Sequence, residues 1–371
     1  MPDRVKIGII GLGAIGEVHG DTYASLGGAH IAAVCDLDAK RLAALGDKWK
    51  APSRFTDYRE LLASDIDGVS VCVSNAWHRD VAVAALEAGK HVLLEKPISL
   101  NCQEAMDICR AEAASKARIQ VGMVNRQRPE VRLLRDWIED GCLGEVYHMR
   151  SVWIRRRGVP GLGTWFTSKK ASGGGPLIDL GVHMFDLPMY LSGHWHPSRI
   201  SAMSYTKFGS RMEEYKYVHM HAGPPNLAGV FDVEDYSTGF VRFHDRATMS
   251  FEISWAANAH EEQYVEILGD KAGARVMNGQ PLHILTEHQG RIADIAPKYD
   301  ELANPWVSQM ERFLSLCRGK GPPAATAAEG LTVMRLIDAI YTSSQERREV
   351  EMAPCPQFEP PEQAPSATVS S

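Results

Sequence analysis

Apolar residues run unbroken through positions 5–10, and a helical spacing of apolar and small residues follows over 14–26. The alternation repeats. An apolar run at 31–35 precedes a helical stretch over 39–48, then come a short element near Phe55 and a helix over 58–63. Apolar 69–73 leads into a helix over 79–88 that Gly89 is placed to close as a left-handed cap. Apolar 91–94 precedes a helix that Asn101 caps, with Glu104 three residues on, and 119–123 ends the series. Continuous apolar strands alternating with helices predict an α/β unit whose parallel, doubly wound sheet is covered on both faces.

From position 126 the texture changes. A helix over 130–140 stops at Gly141, and longer strands with polar alternation appear at 146–154, 200–205, 238–243, 248–255 and 264–268. One helical segment, 176–191, lies among them, and helices over 306–317 and 327–344 flank a Pro-rich loop. This pattern predicts an α+β domain with a large, mostly antiparallel open sheet. Domains are therefore expected at 1–125 and 126–352, and the Pro-, Glu- and Ser-rich stretch 353–371 reads as disordered. A broad sheet covered by helices on one face needs cover on the other, so a homo-oligomer, dimer or tetramer, is expected.

A chain of 371 residues exceeds one typical core, which supports two domains. Its net charge of −6 argues against nonspecific nucleic-acid binding, and the most basic run, Arg155-Arg156-Arg157, is short. Seven cysteines without disulfide or zinc spacing suit a reducing compartment. The first strand begins within five residues, leaving no room for a signal peptide, and no apolar run reaches membrane-spanning length. The expected location is the cytoplasm, with no membrane partner. The pairs His194/His196 and His219/His221 have no third ligand nearby in sequence, so no metal site is expected.

Candidate chemistry begins at Gly11-Leu12-Gly13-Ala14-Ile15-Gly16, a G-x-G-x-x-G turn between the first strand and its helix. Gly11 permits the tight turn, Gly13 admits a pyrophosphate, and the amides of Ala14 and Ile15 lie at the positive end of the helix dipole. Asp36 ends the second strand twenty residues beyond Gly16, where a carboxylate accepts adenosine ribose hydroxyls. That carboxylate repels a 2′-phosphate; Leu37 offers no cation, and Lys40 and Arg41 lie about a helical turn further on. The expected cofactor is NAD rather than NADP.

Two strand ends carry further groups. Lys96, in Glu95-Lys96-Pro97, follows a parallel strand at its carboxyl end, where ligands bind in such sheets. Ser74-Asn75-Ala76-Trp77-His78 leaves another strand end, and Asn75 suits either a cofactor contact or a helix cap. Farther along, Ser172-Gly173-Gly174-Gly175-Pro176 opens a helix on which Asp179 and His183, four apart, share one face. The glycines allow a ligand close to that helix.

In this order the segments resemble the Gfo/Idh/MocA oxidoreductases, the family of glucose–fructose oxidoreductase and inositol dehydrogenases. The match extends through the glycine turn, the segment around Asn75 and His78, and 88–97. It continues through 122–129, the Asp179/His183 helix and 331–339. One departure is Ser74, where the family usually has proline. The resemblance implies an NAD-binding Rossmann domain, with Gly11, Gly13, Ala14, Ile15, Asp36, Ser74, Asn75, His78, Glu95, Lys96 and Asn125 toward the cofactor. It also implies that Lys96, Asp179 and His183 form the catalytic set in a cleft between the domains.

Trp153, Arg155, Arg156, Trp165 and Phe166 precede the catalytic helix; aromatic faces stack on sugars and arginines bond ring hydroxyls, although the tryptophans equally suit a core or lid. With Arg126 at the domain junction, and with the resemblance, they point to a polyhydroxylated ring: a sugar, glycoside, anhydrosugar or cyclitol. The leading expectation is an NAD-dependent dehydrogenase of a secondary hydroxyl. The alternatives are a glycosidase that oxidises its sugar transiently and a noncatalytic, cofactor-sensing sugar binder.

Overall fold

The computed structural model describes residues 4–216, 223–277, 279–300, 302–355 and 358. His219, His221 and most of 353–371 lie outside the described residues. Contacts divide the chain into two compact units, Met1–Gln127 with Asn304–Leu331, and Arg128–Ala303 with Thr332–Ser371.

The first unit contains six parallel strands, β1 (Val5–Ile10), β2 (Ala29–Cys35), β3 (Ser53–Phe55), β4 (Gly68–Val71), β5 (His91–Leu94) and β6 (Ile119–Val121), in the order 3-2-1-4-5-6. Helices α1 (Ala14–Ser25), α2 (Ala39–Lys48), α3 (Tyr58–Leu62), α4 (His78–Glu87) and α5 (Cys102–Ala114) connect them. Local chemistry sets the helix starts. Asp38 accepts from the amides of Lys40 and Arg41, and Asp57 from that of Arg59. Asn101 accepts from Glu104, whose own carboxylate reaches back to the amide of Leu100. Gly89, at φ 71°, follows α4 as the pattern predicts.

The second unit is built on nine strands: β7 (Val146–Ile154), β8 (Pro197–Tyr205), β9 (Tyr236–Phe243), β10 (Thr248–Ser254), β11 (Glu262–Gly269), β12 (Ala272–Met277), β13 (His283–His288), β14 (Arg291–Ile295) and β15 (Val350–Glu351). Their order is 14-13-12-11-7-10-9-8-15, antiparallel except where β7 pairs parallel with β10. Strands β12 to β14 are absent from the sequence expectation. At the sheet edge β13 buries only Ile284 and β14 buries nothing, so the strand period leaves little apolar trace.

Helices α6 (Pro129–Glu139), α7 (Lys169–Ser172) and α8 (Val182–Ser192) belong to this unit. The Ser151 hydroxyl of β7 donates to the Met184 carbonyl, docking α8 on the sheet, and Phe185 meets Phe251 edge-on at 5.1 Å. The other face of the sheet carries an Arg150–Glu266–Arg275 ion network (3.0 and 3.2 Å) and His148 stacked on the exposed Phe240.

Two further helices are α9 (Pro305–Cys317) and α10 (Ala327–Glu346). Periodicity groups α9 with the second domain, but Met310, Phe313, Leu314 and Leu316 pack into the first unit's core with Ile7, Ile9, Tyr23 and Leu93. An amphipathic stripe states that a face is buried, not against which sheet. Phe313→Ala should therefore cost about 3–5 kcal/mol of stability by urea denaturation. An unchanged midpoint would contradict this packing.

Candidate functional site

In the first unit β1 runs into Gly11, whose φ of +87° and tight approach to the Cys72 carbonyl admit only glycine. Gly13 is different: nothing lies within 4 Å of where its Cβ would stand, so its surroundings are open to a ligand. No side chain caps α1 there, which leaves the first-turn amides, including those of Ala14 and Ile15, for an anion. Asp36 Oδ2 accepts from the Leu12 amide at 2.6 Å and Oδ1 from the Asp38 amide at 2.8 Å. Arg41 bends back so that Nη1 stands 3.6 Å from Asp36 Oδ2, although its other nitrogen faces Asp38 at 3.7 Å. Two carboxylates against one guanidinium keep the pocket acidic, which suits ribose hydroxyls and fits NAD.

The loops after β4 and β5 are fixed by buried polar groups. Ser74 and Asn75 begin a single 3-10 turn, Asn75–Trp77, with Asn75 buried. His78 was expected to face the cofactor, and the structure corrects this. Its ring is 1% exposed, with Nδ1 2.6 Å from the Pro97 carbonyl and Nε2 3.0 Å from that of Val73. Burial, the dominant influence, holds its pKa below the ordinary imidazole value. A neutral ring carries one N–H; donated to the nearer Pro97 carbonyl, it ties the start of α4 to the Lys96-Pro97 loop.

Glu95 is also turned inward. Its Oε1 lies 3.0 Å from His19 Nε2, and His19 Nδ1 lies 3.4 Å from Cys72 Sγ. Burial raises the Cys72 pKa well above the usual thiol value. The protonated thiol is then the donor to Nδ1, and Nε2–H donates to Glu95. Glu95 Oε2 accepts from the Lys96 amide at 3.3 Å, and a Cβ on Gly122 would come within 2.7 Å of Oε1. Lys96 is half-buried and joined to Pro97 by a cis peptide. Asn125 is half-buried on the turn Val124–Gln127. The expectation that Arg126 reaches substrate also gives way: its guanidinium is 1% exposed and bonded to Glu329 and the Ala324 carbonyl, both at 3.1 Å.

In the second unit the predicted helix over 176–191 is two elements, a π turn Leu177–Gly181 followed by α8. Asp179 sits in the π turn and His183 in the first turn of α8, so their spacing spans the change of winding. Asp179 Oδ2 accepts from the Trp255 indole Nε1 at 3.0 Å, and His183 is 9% exposed. A groove of about 430 Å³ is lined by Trp153, Arg155, Arg157, Gly158, Glu261 and Gln263, among others. The Arg155 guanidinium lies 5.1 Å from the Trp153 ring centre. Amides of Arg155 and Gly158 bond the carbonyls of Ser254 and Trp255, so the groove wall is tied to the residue that holds Asp179. Arg156 is exposed with its amide on Glu261, and Trp165 stacks on Phe166 at 3.9 Å. His194 is engaged by Asp245 and the Val146 carbonyl. Motif reading missed His19 and Trp255, whose partners lie 76 residues away in sequence.

Comparison with known proteins accords with this geometry. Residues 5–123 match the family model described as "Oxidoreductase family, NAD-binding Rossmann fold", and 131–275 match the GFO/IDH/MocA C-terminal domain. The chain is 32% identical to D-glucoside 3-dehydrogenase of Escherichia coli K12, covering 94% of this chain and 97% of that one. It is 28% identical to inositol 2-dehydrogenase of Corynebacterium glutamicum, covering 83% and 86%. An oxidoreductase domain protein from Kribbella flavida superposes with a TM-score of 0.81 at 26% identity, covering 95% and 100%. Levoglucosan dehydrogenase in complex with NADH has the same fold, with a TM-score of 0.83 at 21% identity and the same coverage. The protein is an NAD-binding oxidoreductase of the Gfo/Idh/MocA family.

Proposed function

We propose that this enzyme oxidises one secondary ring hydroxyl of a glycoside or cyclitol, with NAD as acceptor. A glucoside is the favoured substrate, and ring carbon 3, named for the 32%-identical relative, is the favoured position. The observation that carries the reading is Asp179, four residues ahead of His183 and held by the Trp255 indole, whose backbone carbonyl accepts from Gly158 in the wall of the groove that Trp153 and Arg155 line.

The glycine turn amides would hold the pyrophosphate, Asp36 the adenosine ribose, and Ser74, Asn75 and Asn125 the nicotinamide side. Bound NAD would supply the acceptor for the hydride that leaves the carbinol carbon. As that hydride leaves, the hydroxyl proton must leave too. His183 accepts it as the general base, a role that suits an imidazole side chain. Asp179 orients that imidazole or grips a neighbouring hydroxyl. The Lys96 ammonium stabilises the negative charge developing on the oxygen. Trp153 stacks on the sugar ring and Arg155 bonds its hydroxyls, with Arg156 and Trp165 at the margin. Glu95 and His78 serve Lys96 by fixing its loop.

The seven free cysteines suit the cytoplasm, and no described helix is long and apolar enough to cross a membrane. The open sheet face is proposed as the surface through which copies associate as a dimer or tetramer.

NADH should accumulate, followed by its absorbance, with alkyl or aryl glucosides or inositols; free sugar released from an aryl glucoside without net NADH would favour the glycosidase alternative. Lys96→Ala and His183→Ala should each lower kcat by roughly 100-fold or more while NADH affinity, read by fluorescence, stays close to wild type. Near-normal turnover in either variant refutes that residue's role. Asp36→Ser should weaken NAD by roughly tenfold, the worth of one or two ribose hydrogen bonds, and narrow the preference over NADP. An unaltered preference would remove Asp36 from the ribose site. Light scattering should return a dimeric or tetrameric mass, and a monomer would contradict the association.

A further inference from the structure

Immediately before β9 stand Glu234 and Asp235, two carboxylates almost wholly withdrawn from water. A carboxylate at such a place needs donors. Glu234 Oε1 accepts from the amides of Gly175 and Leu177, both at 3.1 Å, and from the Tyr341 hydroxyl at 2.9 Å; Oε2 also faces the Gly175 amide at 3.1 Å. Two of the three donor groups therefore belong to the turn that leads into Asp179. Backbone contact adds to this: a Cβ on Gly175 would lie 2.1 Å from the Glu234 carbonyl oxygen.

The neighbouring residue works from the other side. The Asp235 carbonyl accepts from the Trp255 amide at 2.9 Å, and it is the Trp255 indole that donates to Asp179. The Asp235 carboxylate is spent elsewhere, on the amides of Lys207, Phe208 and Gly209, which stiffens the same stretch. One dipeptide thus holds both the turn bearing Asp179 and the residue that aims it.

We propose that Glu234 is a positioning residue for the reaction: its carboxylate sets the Gly175–Leu177 turn so that Asp179 meets the Trp255 indole. This rests on the reading of Asp179 and His183 as the catalytic pair. Burial raises the Glu234 pKa and the donors oppose that rise; the amides on both oxygens and the Tyr341 hydroxyl on Oε1 use the group as an acceptor.

The test uses full-length enzyme labelled with ¹⁵N-tryptophan, the Trp255 indole resonance being identified by Trp255→Phe. Glu234→Ala, Glu234→Gln and Tyr341→Phe are compared with wild type, with Asp179→Asn and His183→Ala as controls. In Glu234→Ala the Trp255 indole resonance shifts toward the position of a weaker hydrogen bond. With methyl glucoside as substrate, kcat falls roughly tenfold to 100-fold, as small misplacements do. KM for the glucoside and affinity for NADH change by no more than about threefold, since the loss lies in the reacting arrangement. A primary deuterium isotope effect, measured with glucoside deuterated at the oxidised carbon, increases. Glu234→Gln, which keeps one oxygen for the turn amides, recovers most of the turnover. Tyr341→Phe loses about threefold, one hydrogen bond's worth.

A folded Glu234→Ala enzyme with an unshifted Trp255 resonance and wild-type kcat would overturn the proposal. Where Glu234→Ala does not fold, Tyr341→Phe decides: the threefold loss with a shifted Trp255 resonance supports the proposal, and wild-type kcat with an unshifted resonance overturns it. Full turnover in Asp179→Asn and His183→Ala would sink the catalytic reading instead, while the indole resonance still judges Glu234.

Discussion

A hydrogen bond from the Trp255 indole to Asp179 ties a helical segment to the end of a strand, and the role proposed for Asp179 depends on it. Asp179 sits in a π turn, where backbone winding departs from the α-helix and side-chain direction is less constrained by local geometry. Fixing the carboxylate therefore falls to a tertiary contact. Trp255 can serve because it directly follows β10, whose parallel pairing with β7 also builds the groove wall. Sheet register, aromatic placement and carboxylate orientation thus form one chain of cause.

The first unit solves a similar problem with buried polar groups. Lys96 stands two residues after β5, and its loop is held from beneath by Glu95, His19 and Cys72 and from the side by His78. Each of these groups is costly to bury alone, and each has its partner. The result is a half-buried lysine on a backbone fixed at several points. Preorganisation of this kind lets an ammonium act on a developing negative charge without rearranging during the reaction.

Much of this was legible in the chain because the signals are local. A strand feeding a glycine turn, Asp36 at the next strand end, Lys96 after an apolar run, and the Asp179/His183 spacing all occupy short windows. Contacts made by folding were not legible. His19 reads as one more residue of α1, and nothing near Trp255 indicates Asp179. Arg126 stood beside a motif and looked accessible, yet its charge is spent on Glu329, more than two hundred residues onward. Helix α9 displayed its apolar stripe but not the core it enters. The π turn was hidden because a spacing of four suits either winding.

We propose that Lys96 and His183 act on one hydroxyl in one step. A double-variant cycle on kcat tests it most directly, combining Lys96→Ala with His183→Ala. Residues that work as a unit are strongly non-additive, so the double variant should lose little more than the more damaging single change. Losses that multiply in full would mean that the two residues act on separate events, and the account would fall.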